Sequence, residues 1–244
     1  RQALFHKAED FLAFERILAE GLAKYPVELF AYTLMPNHWH LVLRPVKDRQ
    51  MGRLLRWVTA THTLRYRTHY HSLGGGHLYQ GRFKSLAIGD DAHFFTVCRY
   101  VERNPLRANL VQQAADWAYG SLHRWKDGRD EPKLLSRWPV RRLPGWEQRV
   151  QAALSEAELK SLRVCVERGR PYGSEEWTAD FVERHGLHHT MRPPGRPRKR
   201  PKPVAAKLLT ARNYPRHVFC APPRFLRPRF LRAACRRCRQ GWRN

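Results

Sequence analysis

Acidic residues are scarce in this 244-residue chain: 21 Asp and Glu stand against 46 Lys and Arg, a formal charge of +25. A compact body with that charge repels itself unless a polyanion neutralises part of it. Nucleic acid is therefore the first partner to consider, with ribosomal and membrane surfaces as the other contexts for very basic proteins. Long apolar runs are also missing. No stretch approaches the roughly 18 apolar residues of a membrane span, and no charged start leads into an apolar run of the secretory kind. The expectation is a cytoplasmic, nucleoid-associated protein without a membrane partner. Cysteine is sparse, odd in number and scattered, five in all, which excludes a disulfide framework and fits a reducing compartment. A phosphate-cradling glycine loop is absent too, because Gly74 to Gly76 lack the lysine pattern of one.

What is present is unevenly placed. From Arg192 to Asn244 there are 14 Arg and 3 Lys and no acidic residue, so this tail carries +17 and the other 191 residues only +8. The body reads as folded, and the Pro- and Arg-rich tail as an electrostatic appendage without a packed core. Within it, Pro193 to Lys202 (PPGRPRKRPK) holds a Gly-Arg-Pro centre flanked by basic residues. Two readings are open: a minor-groove contact similar to an AT-hook, or a polybasic linker. His217, Cys220, Cys235 and Cys238 have the spacing of a zinc site, but the arginines crowding the last two argue against one.

In the body, apolar spacing predicts an amphipathic helix over residues 8 to 24 and two strands, Val27 to Met35 and His38 to Arg44. Pro36-Asn37 between them makes a hairpin. A helix with a basic flank follows from Gly52 to about His71, then an extended segment from His77 to Ile88, then a helix opened by Asp90-Asp91. Further on, a helix-like stretch runs from Glu147 to Glu167. The order helix, strand, strand, helix, strand, helix is that of an α+β, ferredoxin-like antiparallel sheet with helices on one face, provided one strand precedes Arg1.

On a strand, side chains two apart share a face, so His38 and His40 project together while Trp39 and Leu41 pack on the other side. Two imidazoles aimed at one point can hold a metal, and a pair of edge histidines is the alternative. Three segments in order, AYTLMPNHWHLVLRP, GHLYQGRFKS and RYVERNPLRANLV, resemble the REP-associated tyrosine transposases, relatives of the single-tyrosine HUH transposases of bacterial insertion sequences. The resemblance spans roughly residues 1 to 125, and a weaker one continues through RGRPYGSEEW.

The resemblance implies a HUH motif at His38, Trp39 and His40, a nucleophile at Tyr100 and a third metal ligand at Asn104. Tyr100 and Asn104 are four apart and lie on one helix face. Asn104 precedes Pro105 and is equally suited to capping the following helix, and Tyr100 also reads as a core aromatic. The implied cofactor is Mg²⁺ or Mn²⁺, and the implied partner is single-stranded or hairpin DNA. The implied activity is cleavage and rejoining through a 5′ phosphotyrosine, by a monomer or homodimer. A catalytically inactive hairpin-binding protein is the alternative, with a small zinc hydrolase a weaker third. Candidate DNA contacts are Arg82, Lys84, Arg103, Arg107, Arg196, Arg198, Lys199 and Arg200. Arg82 and Lys84 could share a face and clamp phosphate, or form a solvated basic edge. Trp39, Trp57, Tyr66 and Tyr79 are candidate stacking surfaces. The expected organisation is a nuclease domain over 1-125 with its first strand missing, a helical extension over 126-191 and the basic tail over 192-244.

Overall fold

The computed structural model describes residues 3–72, 74, 76–128 and 131–192, together with the backbone of residues 217–221. Helix α1 (Ala8–Lys24) starts where Asp10 Oδ2 accepts the backbone N–H groups of His6 at 2.7 Å and Lys7 at 3.2 Å. These are donors that the first turn cannot satisfy itself. Strands β1 (Val27–Met35) and β2 (His38–Pro45) pair antiparallel with Met35 opposite His38, so Pro36 and Asn37 form a two-residue turn. Helix α2 (Gln50–His69) returns across the sheet, and Gly21 sets how closely it meets α1. A Cβ at Gly21 would come within 2.8 Å of Leu54 Cδ1. Strand β3 spans only Lys84–Ile88. The expected extended run from His77 is otherwise loop.

The sheet order is β1-β2-β4-β3, with β4 formed by His217–Ala221 and antiparallel to both neighbours. The ferredoxin-like order leaves one position, between β2 and β3, for the strand expected ahead of Arg1. Here the position is taken from the tail instead. The reason is chemical: β2 and β3 each present backbone N–H and C=O groups to the gap, and an extended segment from anywhere in the chain can satisfy them.

Helices α1 and α2 cover one face of the sheet, packing Phe14, Leu18, Leu54 and Val58 against Leu29, Tyr32, Leu34, Trp39, Leu41 and Leu43. The second face is covered as well, which explains why β1 is apolar almost throughout. Helix α3 (Asp91–Glu102) lies over it, followed by α4 (Asn104–Arg107), a 3-10 turn (Ala114–Asp116) and α5 (Ser121–Asp127). The extension completes the cover with α6 (Trp146–Gln151), α7 (Glu156–Arg168), α8 (Glu175–His185) and α9 (His188–Met191). The single helix expected near Glu147 to Glu167 is two, because Ser155 and Glu158 form a reciprocal cap that starts α7 afresh. Trp146, Val150, Leu162, Cys165 and Tyr172 share one core with Phe30, Val42, Leu86, Ile88 and Phe94.

The same extension closes both sheet edges. At β1, Ser136 N–H donates to Leu29 O at 2.8 Å, and Trp138 Nε1 donates to Phe30 O at 2.7 Å. At β3, Tyr172 N–H donates to Ala87 O at 2.8 Å. Gly173 beside it leaves room for the Trp177 indole, whose ring carbon would lie 2.4 Å from a Cβ there. A buried ion pair ties α1 to α5. Arg124 donates to Glu15 Oε2 at 2.8 Å and to the Tyr32 hydroxyl at 3.0 Å, and Tyr32 donates to Glu15 Oε1 at 2.6 Å.

Candidate active site

Strand alternation turns His38 and His40 toward α3, with ring centroids 4.9 Å apart, while Trp39 enters the opposite core. His40 is buried and His38 partly so. His38 Nδ1 lies 2.6 Å from Asn37 Oδ1. An amide oxygen only accepts, so the ring donates from Nδ1 and keeps its lone pair on Nε2, the form that binds a cation.

Asp90 accepts the His93 backbone N–H at 3.0 Å and starts α3, which carries Tyr100 to within 5.9 Å of the His40 ring, centroid to centroid. Tyr100 is only 3% exposed. Asn104 is buried at the start of α4, where its Nδ2 donates to Tyr100 O at 2.9 Å. Arg107, one turn on, donates to Asn104 Oδ1 and stacks its guanidinium 5.1 Å from the Tyr100 ring centroid. The structure thus brings His38, His40, Tyr100 and Asn104 together, and adds Arg107 inside the group rather than on an outer DNA-facing surface. Among the described residues no three His, Cys, Asp or Glu side chains form a metal-holding group. A cation here would therefore rest on two imidazoles and the Asn104 amide oxygen. That mixed nitrogen and oxygen set can accept Zn²⁺ or Co²⁺ as well as Mg²⁺ or Mn²⁺.

Two buried networks hold these elements, and neither was legible beforehand. Behind β2, Trp39 Nε1 donates to the Tyr79 hydroxyl at 3.4 Å, which leaves that hydroxyl to donate to His62 Nδ1 at 2.6 Å. Burial pushes the His62 pKa down to about 4 and raises that of Tyr79. Behind α3, Glu102 accepts from Ser121 Oγ at 2.6 Å and Trp146 Nε1 at 2.7 Å. Burial raises its pKa, with Arg142, Ser121 and Trp146 opposing the shift.

The remaining expected contacts separate. Arg82 is exposed ahead of β3, beside a cleft of about 140 Å³ lined also by Trp39, Arg56 and Tyr79. Lys84 instead donates to the carbonyl of Glu167 on α7 at 3.3 Å, so the two do not form a phosphate clamp. Arg103 is likewise engaged inside the molecule: its Nε donates to Gln151 O at 3.2 Å, a terminal carbonyl of α6. Trp39 and Tyr66 are buried and cannot stack on bases, and Trp57 lies half-buried beneath Lys24. Arg196, Arg198, Lys199 and Arg200 lie outside the described residues, as do the AT-hook-like run and the side chains of the His217, Cys220, Cys235 and Cys238 set. No helix among the described residues is long and apolar enough to cross a membrane.

The family described as "Transposase IS200 like" matches residues 1–104. A REP-associated tyrosine transposase of Escherichia coli is 26% identical over 100 residues, covering 41% of this chain and 56% of that protein. A Haemophilus influenzae protein of the same type is 27% identical over 111 residues, covering 41% of this chain and 61% of that protein. The chain thus spans less than two thirds of either relative's length. A solved REP-associated tyrosine transposase bound to a REP hairpin overlaps 50% of this chain and 70% of that chain, with 20% identity and a TM-score of 0.42. Over residues 1–104 the chain is thus similar to the IS200-like transposases, and it resembles the REP-associated tyrosine transposases.

Proposed function

We propose that this protein is a metal-dependent transposase and endonuclease of single-stranded DNA, which cleaves and rejoins hairpin, REP-like substrates through a 5′ phosphotyrosine. The observation that carries this reading is the meeting of the His38 and His40 rings with the Tyr100 ring on one face of the sheet, from elements far apart in sequence.

Tyr100 Oη attacks the phosphorus in line, an Oη–P bond forms, and the P–O3′ bond breaks to leave a 3′ hydroxyl that has taken up a proton. Rejoining is the reverse: a 3′ hydroxyl attacks the phosphotyrosine and the phenol is restored. One ester replaces another, so no nucleotide cofactor is consumed. His38, His40 and Asn104 would hold a Mg²⁺ or Mn²⁺ ion, which when bound would supply neutralisation of a non-bridging phosphate oxygen. Arg107 holds its guanidinium 5.1 Å from the ring centroid of the nucleophile. A phosphate offers its guanidinium a stronger, charge-assisted partner than the Asn104 amide, which would leave Asn104 Oδ1 open to a cation.

The burial of Tyr100 favours a second reading, a hairpin-binding protein that no longer cleaves. One experiment separates the two: the protein is incubated with a labelled single-stranded hairpin and Mn²⁺, then denatured. The proposal expects a covalent protein–DNA adduct that is missing from Tyr100→Phe. Tight binding without any adduct selects the second reading, and an adduct that persists in Tyr100→Phe removes Tyr100 from the chemistry.

A further inference from the structure

Outside the family-matched segment, the extension builds a groove of about 630 Å³ between α5 and residues 135–142. Its walls include Trp125, Leu135, Arg137, Trp138, Arg141 and Arg142, with no acidic side chain among the described residues that line it. The volume lies within the ~300–1,000 Å³ of ordinary ligand sites. One wall is pinned to the edge of β1 through Ser136 and Trp138. The Arg142 guanidinium is inserted between two indoles, 4.2 Å from the ring centroids of both Trp125 and Trp138. Behind it sits the buried Glu102 carboxylate, whose field acts on Arg142.

Trp125 is therefore held rigidly on one ring face by a cation–π contact. The side chain is nevertheless 49% exposed, and it is the only aromatic among the described exposed large apolar residues. Arg137 and Arg141 are exposed beside it. An indole with an open side, flanked by exposed arginines and with no carboxylate among the described lining residues, is a stacking platform in a positive channel. That is the chemistry used to grip unpaired nucleotides irrespective of sequence.

We infer that this groove is a second DNA contact, which takes an unpaired segment flanking the hairpin by stacking a base on Trp125 and pairing its phosphates with Arg137 and Arg141. The inference rests on the DNA-binding reading above, but not on cleavage. It is tested with the full chain and two labelled oligonucleotides, a blunt hairpin and the same hairpin carrying roughly ten unpaired nucleotides. The wild type should bind the flanked form more tightly. Trp125→Ala, and separately Arg137→Glu with Arg141→Glu, should each reduce that affinity roughly tenfold and leave blunt-hairpin affinity unchanged. Trp125→Tyr, which keeps a ring, should retain most of it and controls for misfolding. Equal affinity for the two oligonucleotides in the wild type, or equal losses on both in the variants, overturns the inference. So does a groove that an acidic peptide fills in preference to the flank. Adduct formation at Tyr100 on the blunt hairpin is read separately: its absence defeats cleavage while leaving flank-dependent binding intact.

Discussion

The two faces of β2 do opposite work with alternating residues of one strand. Trp39, Leu41 and Leu43 face an apolar core whose polar rings bond to one another in the Trp39, Tyr79 and His62 relay. His38 and His40 face the Tyr100 helix, where two imidazoles, a phenol, an amide and a guanidinium are packed together. The difference teaches that the reactive face is positioned by the inert one. A strand cannot shift register to relax the histidines without dragging Trp39 out of its pocket.

Substitutions on the two faces should therefore separate chemistry from stability. The largest effect is expected on the reactive face. His38→Ala combined with His40→Ala should lower adduct formation by about 10³-fold or more, the several kcal/mol a bound cation contributes, with the circular dichroism of the fold retained. On the inert face the largest effect is Arg124→Ala. It leaves Glu15 buried without its guanidinium, and urea unfolding should report a loss of about 3–5 kcal/mol with the cleavage chemistry otherwise intact.

Acid should act next. The folded pKa of His62 lies at about 4, below its ordinary 6.5, so the unfolded chain takes up the proton first as pH falls. Its contribution is complete above pH 6.5 and is lost between 6.5 and about 4, on the order of 3 kcal/mol. Asp10 and Asp90, whose folded pKa values are lowered, add losses only at still lower pH. His62→Leu should abolish the part of the slope between pH 6.5 and 4 in unfolding measurements, and an unchanged slope would break the assignment. The smallest effect is Tyr79→Phe, which leaves His62 Nδ1 without its donor and should cost about 1–3 kcal/mol.

The parts of this arrangement legible in the sequence were those set by short spacings. The period of two in His-Trp-His, the Pro36-Asn37 turn and the Asp90 cap each act within a few residues, and together they bring His38, His40 and Tyr100 to one face of the sheet. What was not legible depends on partners distant in the chain. Lys84 and Arg103 looked like free basic residues because the carbonyls that take them, on Glu167 and Gln151, belong to the extension. Trp39 looked available for stacking because nothing local announced the core formed by α1 and α2. His62 and Tyr79 had no signal beyond being polar rings 17 residues apart. Arg107 had a faint one, the helical spacing of three from Asn104 and seven from Tyr100. The filling of the central sheet position by β4 could not be read at all, since any extended segment meets the same backbone ladder.

The claim on which the rest depends is that His38, His40 and Tyr100 surround one cation. Paramagnetic broadening by substoichiometric Mn²⁺, followed in NMR spectra of the histidine and tyrosine rings, tests it without any appeal to activity. The account predicts that the His38, His40 and Tyr100 signals broaden together and that His40→Ala spares those of His38 and Tyr100. Broadening confined to other histidines, or of His38 and His40 without Tyr100, would contradict it.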